Sequence, residues 1–310
     1  MRTALVGYTG FVGSNLASAY EFTHLYHSKN IEQAYGTDPD LLVYAGVRAE
    51  KFLANREPER DLRTIKEAFS NIQRIRPGKL VLISTIDVYK TPVLTDEKTE
   101  IETEGLEPYG RNRYLLEQQV REAYPDALIL RLPGLYGKNI KKNFIYDFIH
   151  VIPSMLKEEK YQELTAGGAF LDDYYKKQDN GFYKCRPLAA EEEQLLKDWF
   201  RKAGFSALNF TDSRSVFQFY PLSMLWGHLK KALELHLPLV NLATEPIETG
   251  ELYFHLTGKP FVNELASRPA AYDYRSLYAR EMGGAEGYLL KKEFVMEDIK
   301  KFVQGQCGIR

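Results

Sequence analysis

Gly7, Gly10 and Gly13 stand at a spacing of three near the start of the chain. Before them runs Arg2-Thr3-Ala4-Leu5-Val6, short and apolar enough to be a buried strand. After them Ser14 to Tyr20 suits a helix. Roughly one chain in ten with this glycine content would show the spacing somewhere by chance. Its place between a strand and a helix is what gives it meaning. A strand, a tight glycine turn and a helix N-terminus let backbone N–H groups approach a diphosphate. An ordinary strand-to-helix turn does not need three glycines. Gly7, Thr9, Gly10, Phe11, Val12 and Gly13 are therefore the expected cradle of a phosphate-bearing cofactor.

The next elements say which kind of sheet follows. Thr23 to Tyr26 reads as a second strand, and Leu41 to Tyr44 as another only about a dozen residues later. That gap is too short for a crossover helix plus a further strand, so one strand of the usual order is expected to be missing. The second strand ends in His27-Ser28-Lys29-Asn30 with no carboxylate. A hydroxyl and a cation suit a ribose 2′-phosphate, which favours NADP, with Ser28 and Lys29 as its contacts. Asp61 to Ile75 carries Leu62, Ile65, Phe69 and Ile72 at helical spacing, and Pro77-Gly78 ends it.

Bulk composition narrows the partners. The 310 residues hold 41 basic and 42 acidic side chains. Without a basic excess, nucleic acid and anionic membranes are not expected partners. No apolar run approaches the length of a membrane span, and Ala4-Leu5-Val6 is too short for a signal peptide. Two cysteines, Cys185 and Cys307, fit a reducing, cytoplasmic setting. The six histidines form no ligand pattern, so no metal is expected. The 21 tyrosines offer apolar area with a hydroxyl, suited to a polar organic ligand.

Lys79-Leu80-Val81-Leu82-Ile83 is a continuous apolar strand that ends in hydroxyls at Ser84 and Thr85. In a parallel sheet such strand ends face the ligand crevice. Tyr-x-x-x-[Lys/Arg] occurs three times, at Tyr44/Arg48, Tyr109/Arg113 and Tyr288/Lys292, about what chance gives. Tyr109 stands out because it opens an amphipathic helix (Leu116, Val120, Ala123) shortly after Thr85. Four residues apart on a helix, Tyr109 and Arg113 share a face. A phenol ionises near pH ~10 and is a poor base at neutral pH. A cation one turn away favours the phenolate and brings it toward working pH.

These stretches resemble the extended short-chain dehydrogenase/reductase family, the nucleotide-sugar epimerases and dehydratases. The glycine spacing is the family's at the same place. Tyr44-Ala45-Gly46-Val47-Arg48 resembles the F-A-G-L-K stretch of UDP-galactose 4-epimerase. That likeness implies cofactor contacts from Tyr44, Ala45 and Gly46 and substrate contacts from Val47 and Arg48. The asparagine that the epimerase places downstream, after its proline, is replaced around Leu62-Arg63. Ser84 to Tyr89 resembles S-[ST]-x-x-V-Y, which makes Thr85 the catalytic hydroxyl and puts Ser84 at the cofactor. Pro108-Tyr109-Gly110-Arg111 fits the usual surroundings of Y-x-x-x-K, which implies Tyr109 as acid/base and Arg113 in place of the lysine. Dehydratases carry Asp-Glu after the Thr; here Ile86 and Asp87 follow, so the acid that drives water elimination is missing. Epimerase or ketoreductase is favoured, with Asp87 on the substrate side.

The second half follows more loosely. Arg131 to Gly137 resembles R-x-x-N-V-Y-G, with Pro133 at a nicotinamide contact. Asn143 sits where family members hold the nucleotide's diphosphate, beside Lys141 and Lys142. Ser215 to Leu222 resembles V-R-D-Y-I-H-V but carries Phe217-Gln218 for Arg-Asp. Leu239 to Thr244 is the expected last core strand. Residues 151–210 read as helix-rich, without a signature.

The expected fold is α/β, a Rossmann-type doubly wound parallel sheet with a smaller α+β substrate lobe. Residues 1–150 with 216–245 would form the NAD(P)-binding domain, and 151–215 with 246–310 the lobe. The expected function is an NAD(P)-dependent epimerase or reductase of a nucleotide sugar, with a homodimer as one arrangement. The alternative is an NADP-binding sensor or scaffold without catalysis, because Arg113 replaces the lysine.

Overall fold

The structure, a computed structural model, describes residues 1–307. The first half alternates strand and helix: β1 (Thr3–Val6), α1 (Phe11–Ala19), β2 (His24–Tyr26), β3 (Leu41–Tyr44), α2 (Lys51–Arg56), α3 (Pro58–Ile75), β4 (Lys79–Thr85), α4 (Pro108–Ala123) and β5 (Leu128–Leu132). The chain continues through β6 (Gly134–Tyr136), α5 (Phe144–His150), β7 (Met155–Lys157), α6 (Glu158–Thr165), β8 (Tyr175–Lys177), β9 (Phe182–Cys185) and α7 (Ala190–Lys202). It closes with β10 (Val216–Phe217), β11 (Phe219–Pro221), α8 (Leu225–Glu234), β12 (Leu239–Asn241), β13 (Ile247–Glu248), α9 (Thr249–Thr257) and α10 (Lys292–Cys307).

Six strands form one sheet in the order β12-β5-β4-β3-β1-β2, and every neighbouring pair is parallel. Alternate side chains feed two apolar layers, as strand geometry requires. Leu5, Val43, Val81 and Leu130 pack with Leu16 of α1 and Leu225 and Leu229 of α8. Ala4, Val6, Leu42, Leu80 and Ile129 pack with Ile65 and Ile72 of α3 and Leu116 and Val120 of α4. The sheet is thus doubly wound. Only a 3-10 turn, Ile31–Ala34, joins β2 to β3, so β2 is left at the edge. The strand that the short spacing leaves no room for is absent.

Local chemistry fixes the helix ends. α3 begins at Pro58, three residues earlier than the pattern suggests, because proline suits the first helical position. It stops where Arg76, at φ 58, precedes Pro77. α1 likewise begins at Phe11, inside the glycine turn.

Residues 151–210 are helix-rich as expected, through α6 and α7, but they also hold strands that the sequence reading did not give. β7, β9 and β8 form a three-stranded antiparallel sheet there, covered by α6 and α7. Leu156, Tyr161, Leu171, Tyr175, Leu196 and Phe200 make its separate apolar cluster. The last core strand is also shorter than the expected 239–244, because β12 ends at Asn241.

Farther on, residues 272–275 lie between two earlier segments. Leu94 N–H donates to the Asp273 carbonyl, Arg275 N–H to the Thr95 carbonyl, and Tyr272 N–H to the Val216 carbonyl. Gln218 clamps the same segment: its amide nitrogen donates to the Tyr274 carbonyl at 2.8 Å, and its oxygen accepts from Tyr274 N–H at 3.0 Å. The Gln that replaces the family's Asp is therefore a buried structural clasp. It brings Tyr272 toward the end of β4.

Candidate active site

The glycine turn is built by close approach. Gly7 has φ 92, and a Cβ there would overlap the Ala45 carbonyl, so β1 and β3 meet at their ends only with glycine. A Cβ at Gly13 would overlap the Gly7 carbonyl. Gly10 differs: its nearest neighbour to such a Cβ is the Gly7 oxygen at 3.2 Å, and Thr9 and Gly10 are exposed. Gly10 also provides no side-chain cap for α1, whose first turn carries no acid. The first N–H groups of α1 thus keep room for an outside acceptor, which fits a diphosphate.

At the end of β2, Asn30 closes a turn by accepting from His27 N–H at 2.7 Å. Ser28 and Lys29 are left exposed at its tip. At the end of β3 the residues divide. Tyr44 is 3% exposed, its hydroxyl faces Asn71, and burial pushes its phenol up to about 12. Its side chain belongs to the core beneath the sheet, not to the crevice. Ala45, Gly46 and Val47 lie at the surface or half-buried, and Arg48 is exposed.

Thr85 and Tyr109 come together as the spacing predicts. A Cβ at Gly110 would overlap the Asp87 carbonyl, so the start of α4 presses directly on the turn after β4. Asn55 of α2 accepts from Tyr109 N–H at 2.9 Å and satisfies one orphan donor of α4. The Thr85 oxygen accepts from Asp87 N–H at 3.1 Å, which leaves the hydroxyl proton to point elsewhere. Burial raises the Tyr109 phenol; Arg113, the Thr85 hydroxyl and Lys51 pull it down, and Asp87 pushes it up. The balance is upward, so the single-cation expectation from sequence is corrected: Arg113 acts in the expected sense but burial outweighs it.

The reason lies in how Arg113 is held. Its guanidinium stacks 3.9 Å from the Tyr109 ring centre. One nitrogen donates to Asp61 at 2.5 Å, and the other donates to the Arg48 carbonyl at 2.6 Å. The Arg113 and Asp61 side chains are 5% and 10% exposed. Asp61 lies one residue before the Leu62-Arg63 pair, and it is the carboxylate that this arginine needs.

A second group of charges lies close enough to act on Tyr109. Lys51 Nζ donates to Asp87 Oδ1 at 2.9 Å, and the Tyr272 hydroxyl reaches the same oxygen at 3.4 Å. Burial opposes the Lys51 charge, but Asp87 and Tyr272 outweigh it and raise its pKa. Neither Lys51 nor Tyr272 is marked by any motif.

Ser84 does not join this group. Its hydroxyl donates to Glu117 at 2.5 Å, and Glu117 pairs with Arg131 at 2.6 Å, both fully buried. Arg131 also donates to the Tyr89 hydroxyl at 2.7 Å, which meets Asn241 of β12. This network ties β4, α4, β5 and β12 together below the reaction centre. Asn143 is also spent on structure. Its oxygen accepts from Ile145 and Tyr146 N–H and its nitrogen donates to the Leu135 carbonyl, so it caps α5. Pro133 is half-buried between β5 and β6. Among the described residues no group of three His, Cys, Asp or Glu could hold a metal ion.

Neither a protein-family model nor a curated protein sequence matches the chain. Solved structures do. The dTDP-4-dehydrorhamnose reductase of Yersinia enterocolitica matches with TM-score 0.64 and 15% identity over 99% of this chain and 100% of that one. The reductase of the same name from Bacillus anthracis, in complex with NADP, matches with TM-score 0.61 and 17% identity over 97% and 98%. UDP-glucose 4-epimerase of Thermotoga maritima, with UDP-glucose, matches with TM-score 0.59 and 15% identity over 98% of each chain. The chain thus shares the α/β fold of these enzymes over 97–99% of its length.

Proposed function

We propose that the protein is an NAD(P)-dependent enzyme that acts on a nucleotide-linked sugar, as an epimerase or a reductase, with Tyr109 as acid/base. The observation that carries the reading is the meeting of Thr85 and Tyr109 beyond the sheet end, beside an uncapped glycine turn at α1. The likeness to reductases and an epimerase of nucleotide sugars supports the substrate class.

Gly7 to Gly13 would hold the diphosphate of the cofactor, Ala45 and Gly46 would pass beside it, and Ser28 and Lys29 would meet a ribose 2′-phosphate. When bound, the nicotinamide supplies or accepts the hydride. The chain's own task is the proton. Tyr109 rests as the neutral phenol, because its pKa is raised. It can donate that proton to a carbonyl oxygen of the sugar and take it back in reverse. The Thr85 hydroxyl orients the same oxygen. Arg48, Lys141 and Lys142 are exposed cations on the side from which a nucleotide diphosphate would enter. Asp87 stands where dehydratases carry the second acid, and Ile86 replaces the first, which leaves hydride transfer without elimination.

The test uses the purified chain with NADPH or NADH and a panel of nucleotide sugars and their keto forms. Tight NADPH binding and turnover that falls about 10²-fold or more in Tyr109→Phe are expected. Absence of dinucleotide binding would refute the reading. The confinement of Arg113 by Asp61 keeps the second reading in view, a cofactor-binding protein without turnover. NADPH binding with no sugar-nucleotide binding is its signature.

A further inference from the structure

We propose that Lys51, delivered from α2, is the mobile cation that serves Tyr109, and that it does so in a triad with Asp87 and Tyr272. The idea deepens the acid/base role of Tyr109 and rests on that reading. Lys51 touches Asp87 and acts on Tyr109 through space, so it is a positioning residue.

Arg113 is too tightly held to serve as that cation. Its donors go to Asp61, to the Arg48 carbonyl and to the Tyr109 carbonyl, and its side chain is 5% exposed. Its charge is matched by the Asp61 carboxylate at 2.5 Å. A guanidinium held on several sides cannot follow a charge that develops on a substrate oxygen. Lys51 is the opposite case. Its side chain is 44% exposed and that of Asp87 21%, so the pair lies on the open side of the cleft. An ammonium on a flexible four-carbon stem, held at Asp87, can adjust its position as charge develops on Tyr109 and support it through space.

Tyr272 completes the arrangement. It comes from a segment clamped by Gln218 and lies against Phe217, with ring centres 5.9 Å apart. Its hydroxyl holds the Asp87 oxygen that Lys51 also holds. Asp87 is thus fixed from two sides, and it determines where Lys51 rests.

The charges around Tyr109 come from every element packed against it. Arg113 belongs to α4, Asp87 follows β4, Lys51 belongs to α2, and Thr85 contributes a hydroxyl. Around Lys51 and Asp87 stand Tyr272, and also Lys142 with Glu50. Loss of the Lys51 charge leaves Asp87 unopposed and disfavours the phenolate. Loss of the Asp87 charge leaves Lys51 unopposed and favours it.

The test is 19F NMR of the full chain labelled with 3-fluorotyrosine, the Tyr109 signal being assigned by its loss in Tyr109→Phe. In Lys51→Met the Tyr109 midpoint should rise by about one pH unit, a tenfold change. In Lys51→Arg it should stay near the parent value, and in Asp87→Asn it should fall. An unchanged midpoint in Lys51→Met overturns the proposal. So does an equal rise in Lys51→Arg, since that is the mark of a packing role. The titration needs no dinucleotide or sugar. Failure to bind NADPH therefore strikes the proposed function, and an unmoved Tyr109 strikes this inference alone.

Discussion

Asp61→Asn isolates what holds Arg113 in place. The change keeps the shape and one acceptor oxygen but removes the charge. Asp61 accepts from Arg113 at 2.5 Å and from Asn112 at 2.9 Å. With the pair 5% and 10% exposed, an unmatched guanidinium would stay buried. Breaking such a pair from one side costs about 3–5 kcal/mol. The remaining amide oxygen and the Arg48 carbonyl place this case at the lower end, about 3 kcal/mol. Urea unfolding should show the midpoint falling by on the order of 1 M. Asp61→Leu and Arg113→Met should each cost a similar amount, and the two combined should recover much of the loss, because an apolar pair leaves no buried charge. The reasoning is refuted if the two single losses add in the double variant to within about 0.5 kcal/mol. A second readout follows from the same charge. Without Asp61, Arg113 presses harder on Tyr109, so the phenol should ionise at lower pH.

Three further outcomes are expected. Gly13→Ala would force a methyl into the Gly7 carbonyl and should abolish NADPH binding, measured by nucleotide fluorescence, with loss of stability as well. Asn143→Ala removes the cap of α5 at a position with φ 109, so it should lower stability by about 1–3 kcal/mol and leave nucleotide-sugar affinity unchanged; a selective loss of that affinity would return Asn143 to the substrate site. In the reducing direction Tyr109 must carry its proton, and burial raises its pKa beyond that of an ordinary phenol, so the pH profile should show no loss through neutral pH and decline only in strong alkali.

The fold was legible where the signal is local or a matter of spacing. The glycine turn, the buried strands and the missing strand between Tyr26 and Leu41 all follow from short stretches. The three-stranded sheet of 155–185 did not. Its strands have three or four residues and carry Lys157, Lys176, Lys177 and Lys184, so neither alternation nor apolar runs mark them. Thr85 and Tyr109 could be found because a strand end and a helix start are recognisable. Tyr272 could not, since it lies 185 residues from Asp87 and is brought there by pairing of irregular segments. Arg131 does carry a signal of the buried network. Arg131 interrupts an apolar strand, and a charge there demands a partner; Glu117 is that partner.

The site's charges show how a nearly neutral chain could receive the anionic ligand proposed for it. Arg113 is matched by Asp61, Arg131 by Glu117 and Lys51 by Asp87, each within 3 Å. The first two pairs are buried and the third lies on the open side, and all three contribute almost no net field farther out, because opposite charges that close cancel at a distance. Arg48, Lys29 and Lys141 form no ion pair among the described residues, and Lys142 donates to the Ala49 carbonyl rather than to a carboxylate. These cations lie on loops after β2, β3 and β6, while Thr85 and Tyr109 stand beside matched ion pairs. That division has a chemical consequence. A phosphate can be held at the rim without drawing the Tyr109 phenol toward ionisation, so ligand grip and proton affinity can be set by different residues.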